Sequence, residues 1–252
     1  MTETELRQKV VDTASSWLGT QEGTARHAEM LNIYNAQRPL PRGTRMLSTW
    51  PWCAAFVSTV SLQCGLRDIM PTECGCPSMI RLYQELGRWI EDDAYVPSPA
   101  DVIFYDWQDS GSGDNAGQPD HVGIVVACTD GMMTIIEGNC DNAVKLRQIA
   151  VNARYIRGYG CPDYASKADS AEPQPVPAPA PEPTPQPVPA PAPEPTPQPE
   201  PEKPAEEATD PFITQVARQV IAGKWGNGQA RKDALAEWFT KSVQDEVNRL
   251  MA

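Results

Sequence analysis

Apolar residues in the first third of the chain recur at the three- to four-residue spacing that is typical of amphipathic helices. Thr2 and Glu5 match a capping box, and Gly19 is predicted to end the first helix. The apolar face of this helix consists of Leu6, Val10, Ala14 and Trp17. A second helix is predicted over residues 51–65, because proline suits a first helical turn and glycine suits a helix end. A third helix is predicted with Ser78 as its N-cap.

The hydrophobic pattern changes after residue 100 to short runs that are rich in β-branched and aromatic residues. Four strands are predicted, over residues 102–105, 121–128, 132–137 and 154–159. Asp130-Gly131 is typical of a tight hairpin turn between two of them. Helices followed by a mostly antiparallel sheet predict an α+β fold.

Proline divides the chain, since 16 of the 26 prolines fall between Pro173 and Pro204. Residues 174–185 are repeated identically as residues 186–197, and proline at alternate positions enforces an extended polyproline II spacer. A role as an SH3-type ligand is disfavoured because the repeat contains no Arg or Lys. The predicted organisation is an N-terminal domain over 1–165, a Pro-rich disordered linker over 166–209 and a module of three short helices over 210–252.

The acidic charge balance excludes several partners. The net charge is −12, and only the segment 210–252 has a slight positive excess. Nucleic acid is therefore not expected as a ligand, and nothing indicates binding to a membrane surface. The start of the chain lacks the basic and apolar regions of an export signal. We expect synthesis in the cytoplasm without a standard signal peptide.

Three residues have the chemistry of a thiol hydrolase. Cys53 is predicted in the first turn of a helix, where backbone N–H groups lower a thiol pKa. His121 begins a strand, and Glu137 ends the next one, where a carboxylate could hold the imidazole in one tautomer. The imidazole is expected to be neutral, and His27 is expected on the surface. Each residue type taken alone also has an ordinary structural role: a small buried thiol, a core imidazole or a solvated carboxylate.

The motifs around these residues resemble those of the CHAP family, the cysteine, histidine-dependent amidohydrolases/peptidases. They are Trp52-Cys53-Ala-Ala-Phe-Val, Asp120-His121-Val-Gly-Ile-Val and Ile136-Glu137-Gly-Asn139, within a similarity that spans about residues 5–164. The resemblance implies a papain-like α+β fold with an antiparallel sheet and cleavage of amide bonds in peptidoglycan. It implies Cys53 as nucleophile, His121 as base, Glu137 as the residue that orients His121, and Asn139 as a supporting site residue.

No cofactor is expected. Some CHAP proteins bind calcium through aspartates just before the nucleophile, but residues 48–52 contain no carboxylate here. The loop 109–120 has three further aspartates among glycines, although its spacing matches no calcium loop, and a flexible rim of the active site is the favoured interpretation. Cys74 and Cys76 do not supply the paired ligands of a zinc site, so a disulfide or two free thiols is expected.

The C-terminal segment is similar to the CW-seven cell-wall-binding repeat of certain phage lysins. The similarity rests on residues 216–228, on Arg231-Lys232 and on residues 247–250, whereas residues 236–241 depart from the usual pattern. The resemblance implies recognition of a muropeptide, with Trp225, Asn227 and Arg231 as candidate wall-binding residues. Trp225 either stacks on a sugar or fills the core of the module.

Together these features predict a peptidoglycan hydrolase of the phage or prophage endolysin type, either an N-acetylmuramoyl-L-alanine amidase or an endopeptidase. Peptidoglycan is the expected partner, reached after release through a holin or cell lysis. The alternatives are a non-catalytic wall-binding scaffold and a thiol transferase of the same fold that uses an amine acceptor. The sequence leaves open which bond is cut, the host range, the oligomeric state and the pairing of the other cysteines.

Overall fold

Helices precede an antiparallel sheet in the computed structural model, which describes residues 1–108, residues 115–169 and eleven helical positions beyond residue 216. Those positions are 217, 218, 220, 221, 244 and 246–251. The helices of the N-terminal part are α1 (Glu3–Ser16), α2 (Ala25–Ala36), α3 (Cys53–Cys64) and α4 (Cys76–Glu85). The strands are β1 (Trp89–Ile90), β2 (Val102–Tyr105), β3 (His121–Thr129), β4 (Met132–Cys140), β5 (Ala143–Ala150) and β6 (Ile156–Gly160). Most of the linker predicted over 166–209 and of the helices predicted over 210–252 lies outside the described residues.

Helix ends follow the local sequence at two of the predicted places. The Thr2 side chain accepts a hydrogen bond from the Glu5 backbone N–H, and the Thr2 N–H donates to the Glu5 carboxylate, so the capping box is confirmed. Helix α3 ends at Gly65, whose positive φ of 72° suits the left-handed conformation of a C-terminal cap. The third predicted helix begins earlier than expected. Gly75, and not Ser78, is the N-cap of α4, and Pro77 lies in the first turn of this helix.

The six strands form one antiparallel sheet in the order β1-β6-β2-β3-β4-β5. The predicted mixed fold is confirmed, and the turn at Asp130-Gly131 joins β3 to β4 with both residues at positive φ. Strands β1 and β5 are not among the predicted strands. Polar residues alternate with apolar ones in β5 and break the continuous apolar runs that identify the other strands.

Helix α3 is the central buried helix of the described domain. It packs against α1 and α2 on one side and against β3 and β4 on the other. Gly138 of β4 lies directly against this helix, since a Cβ atom placed there would be 2.4 Å from the Phe56 Cβ. The close approach of helix and sheet places the beginning of α3 beside the residues that β3 and β4 contribute.

Two further contacts fix the edges of the domain. The Tyr164 hydroxyl donates to the Ala100 carbonyl at 2.9 Å, and the Asp169 N–H donates to the Met1 carbonyl at 3.0 Å.

His27 is buried rather than exposed, which corrects the sequence expectation: its ring lies 4.8 Å from the Trp52 ring. The burial lowers the pKa of His27, against the opposing charge of Glu22. None of the described helices has the length and apolar composition needed to span a bilayer.

Candidate active site

Cys53 is the first residue of α3, as the sequence predicts. Trp52 is the N-cap and supplies no side-chain hydrogen bond to the helix, so the first backbone N–H groups of α3 receive no hydrogen bond from the cap side chain. The Cys53 side chain is almost entirely buried, and 4% of the residue surface is exposed. A thiol at this position experiences the positive end of the helix dipole with little screening by water.

His121 and Glu137 meet across the hairpin of β3 and β4. Glu137 pairs with Gly123, two residues beyond His121, so both side chains lie on the same face of the sheet. The His121 Nε2 is 3.0 Å from Glu137 Oε2, which leaves Nδ1 as the ring nitrogen for Cys53. Gly123 makes this arrangement feasible, because a Cβ atom there would lie 2.8 Å from the Glu137 Cγ.

The electrostatics favour an ion pair between Cys53 and His121. The hydrogen bond with Cys76 lowers the pKa of Cys53 to about 5 against the effect of burial, and the contacts with His121 and the Ala54 N–H also lower it. Burial lowers the pKa of His121, but the contacts with Cys53 and Glu137 outweigh it and raise the pKa to about 10. These opposite shifts favour a thiolate and an imidazolium at neutral pH over the neutral ring that the sequence led us to expect.

Arg147 of β5 supports the carboxylate of Glu137. Its Nε donates to Glu137 Oε1 at 2.8 Å, while its guanidinium lies 5.0 Å from the centre of the Trp107 ring. Glu137 is completely buried, yet the hydrogen bonds from His121 and Arg147 outweigh the desolvation and hold its pKa below the usual range. The sequence reasoning missed Arg147 because it missed β5; the positive-φ pair Asp141-Asn142 before this strand is the turn signal that was available.

Cys76 is a hydrogen-bonding partner of the nucleophile candidate. Its Sγ lies 3.8 Å from Cys53 Sγ, and His121 also contacts the Cys53 thiol. The pKa of Cys76 is raised well above its usual value by the contact with Cys53 and by burial, so Cys76 is the S–H donor. Cys76 is the first residue of α4, two residues before the N-cap that the sequence predicted at Ser78. Pro77 was the signal that could have located this helix start.

Asn139 stands apart from this hydrogen-bonded cluster. It lies in β4 at a break in the strand register between Glu137 and Cys140, and its φ is +58°. Asparagine tolerates this left-handed conformation better than most residues, which gives Asn139 a local structural role at the bulge. Its role in the site remains a prediction.

The described residues contain no group of three or more His, Cys, Asp or Glu side chains arranged to hold a metal ion. Residues 109–114 of the aspartate-containing loop lie outside the described part. Cys74 and Cys76 are both free thiols, as are the other five cysteines. The sequence left a disulfide or two free thiols open for Cys74 and Cys76, and the structure shows two free thiols.

Comparison with protein-family models places two known units in the chain. A CHAP domain matches residues 45–139, which include Cys53, His121, Glu137 and Asn139. A CW_7 repeat matches residues 214–251, which include Trp225, Asn227 and Arg231; these three residues lie outside the described part. No curated protein and no solved structure matches the chain. Both resemblances inferred from the motifs are confirmed, and the CHAP domain supports an amidase or peptidase of the peptidoglycan-hydrolase type.

Proposed function

We propose that this chain, with its CHAP domain and CW_7 repeat, is a cysteine peptidoglycan hydrolase of the endolysin type. It would cut an amide bond of the bacterial wall, as an N-acetylmuramoyl-L-alanine amidase or an endopeptidase, after reaching the wall from within a lysing host. The observation that carries the proposal is the cluster formed by Cys53 at a helix N-terminus and the His121–Glu137 pair beside it. This cluster supplies a nucleophile, a proton donor and a group that orients the donor.

In the first half of the reaction, the Cys53 thiolate attacks the carbonyl carbon of the amide and forms a tetrahedral intermediate. The backbone N–H of Cys53 at the start of α3 stabilises the negative charge on the carbonyl oxygen. His121 donates the proton on Nδ1 to the leaving nitrogen, the C–N bond breaks, and the amine departs. Glu137 accepts the hydrogen bond from Nε2 and keeps the ring in the orientation that this transfer needs.

In the second half, the thioester on Cys53 is hydrolysed. His121 is now neutral and accepts a proton from water as the water oxygen attacks the thioester carbonyl. The C–S bond breaks, which releases the carboxylic acid product and restores the Cys53 thiolate. The proton stays on His121, so the resting thiolate–imidazolium pair is regenerated. Arg147 keeps Glu137 ionised throughout this cycle by its hydrogen bond at 2.8 Å.

The CW_7 repeat would raise the concentration of wall substrate around the catalytic domain. A binder joined to the enzyme by a linker converts a second encounter into an intramolecular one, even when the binder alone is weak. Trp225, Asn227 and Arg231 are the proposed wall-binding residues, and a muropeptide is the proposed ligand.

The proposal is tested by the loss of turbidity of purified cell walls and by mass spectrometry of the released fragments. The wild type should clear the suspension, and Cys53→Ala should not. Cys128→Ala is the control for loss of a thiol and should also clear it, because Cys128 lies in β3 away from the Cys53–His121–Glu137 cluster. New lactyl termini indicate an amidase, and new peptide amines indicate an endopeptidase. An inert wild type that still binds walls would support the scaffold, and products joined to an added amine would support the transferase.

A further inference from the structure

The thiol closest to Cys53 comes from a different helix. Cys76 begins α4 as Cys53 begins α3, and the two sulfurs are 3.8 Å apart although the residues are 23 positions apart in sequence. Both residues are buried, with 4% and 5% of their surfaces exposed. This separation corresponds to two reduced sulfurs in hydrogen-bond contact, while a disulfide bond needs about 2.05 Å. The two sulfurs would have to approach each other by about 1.8 Å to form this bond.

We propose that Cys53 and Cys76 form a reversible oxidation site. A hydroperoxide would convert the two thiols into a disulfide, and the disulfide would remove the nucleophile until a thiol reductant restores it. Formation of the bond follows from the geometry of the two cysteines alone. Only its effect on wall cleavage rests on the proposed function.

The reaction proceeds in two balanced steps. The Cys53 thiolate attacks one oxygen of the hydroperoxide, the O–O bond breaks, and the products are a Cys53 sulfenic acid and a hydroxide or alkoxide that takes up a proton. The Cys76 sulfur then attacks the Cys53 sulfur, and its proton leaves with the sulfenic oxygen as water. The two sulfurs lose two electrons in total, and the hydroperoxide gains them. A thiol reductant reverses the product by thiol–disulfide exchange.

The other five cysteines lack this arrangement. Cys64 hydrogen bonds to Thr13 and to the Lys9 carbonyl, and Cys140 contacts the Arg147 guanidinium at 3.5 Å. All seven cysteines lie in the described part, and no second pair of their sulfurs is in hydrogen-bond contact. Cys74 is only two residues from Cys76 but does not contact Cys53, so it provides a matched control for the test.

The test treats the full-length wild type, Cys76→Ser and Cys74→Ser with a small excess of hydrogen peroxide, followed by dithiothreitol. Peptide mapping without reduction should find a cross-linked peptide that contains residues 53 and 76 in the wild type and in Cys74→Ser. Wall-clearing activity in both should fall by more than about tenfold and return with dithiothreitol. Cys76→Ser should form no cross-link; its Cys53 should proceed to sulfinic acid, and dithiothreitol should not restore its activity.

Two results would overturn this inference: absence of the 53–76 cross-link in the oxidised wild type, or recovery of Cys76→Ser as complete as that of the wild type. The peptide map does not depend on catalysis. If the cross-link forms in a protein that never clears walls, the oxidation site stands and the proposed hydrolase fails. If the protein clears walls but the cross-link is missing, the hydrolase stands and the oxidation site fails.

Discussion

Replacement of Arg147 by Met tests how strongly the buried Glu137 depends on its second partner. The change removes the donor that lies 2.8 Å from Glu137 Oε1, while a Met side chain can still pack against Trp107. The carboxylate would then remain fully buried with His121 as its described ion-pair partner. Loss of one partner leaves part of the desolvation cost of this charge uncompensated.

The expected size of the effect follows from the exposure of the two side chains. Breaking a buried ion pair costs about 3–5 kcal/mol in typical proteins. Because 33% of the Arg147 side chain is exposed and His121 still faces Glu137, the expected cost lies below that range, at about 2–3 kcal/mol. For a domain of this size, 1 kcal/mol corresponds to a Tm shift of roughly 2–4 °C, so the variant should melt about 4–12 °C below the wild type.

The effect should depend on pH with a definite sign. The pKa of Glu137 is lower in the folded protein than in an unfolded chain, so its interactions stabilise the fold above the unfolded pKa of about 4.3. That stabilisation is lost as the pH falls through the folded pKa, because protonation removes the charge that Arg147 compensates. The difference in Tm between the wild type and Arg147→Met should therefore be largest near neutral pH and shrink in acid.

Thermal unfolding followed by circular dichroism measures this difference, with Arg81→Met as the control for loss of an exposed arginine. Arg81 is exposed and hydrogen bonds only within α4 to Ser78, so its replacement should change the free energy of unfolding by less than about 0.5 kcal/mol. The Glu137→Gln background provides a double-mutant cycle, in which Arg147→Met should cost clearly less. An Arg147→Met variant that melts within about 1 °C of the wild type at neutral pH would refute the reasoning.

Three other predictions concern the nucleophile and its surroundings. The value of kcat/KM should rise as the Cys53 thiol ionises, with a pKa of about 5, and fall as His121 loses its proton, with a pKa of about 10; a profile that peaks outside this window would contradict the ion pair. Cys76→Ala removes an S–H donor to the thiolate, so the pH midpoint of Cys53 alkylation by iodoacetamide should move upward by about one unit, and an unchanged midpoint would exclude that donor role. Gly123→Ala places a Cβ 2.8 Å from the Glu137 Cγ and should cost about 1–3 kcal/mol in chemical denaturation together with most of the activity; a fully active, equally stable variant would show that the sheet relaxes freely.

The sequence predicted the parts of the site that depend on local geometry. Pro51 and Gly65 bracket a helix, so Cys53 could be placed at its beginning without knowledge of the rest of the fold. The turn at Asp130-Gly131 predicted that His121 and Glu137 lie on adjacent strands. A shift in the strand register between Val125 and Ala127, which the sequence did not predict, places Glu137 opposite Gly123 and therefore on the same face as His121. The family motifs reported the same residues, and the family-model comparison confirmed both resemblances.

Only the tertiary structure decided which side chains surround these residues. Nothing in the periodicity of α2 distinguishes a solvated His27 from one that packs on the Trp52 ring, because the distinction depends on which face another helix covers. Likewise, the meeting of Cys76 with Cys53 and of Arg147 with Glu137 depends on how α4 and β5 pack against the rest of the domain. Spacing along the chain determines helices, strands and turns through short-range backbone geometry, whereas contacts between separate elements, and the pKa values that follow from them, are fixed only by the packed core.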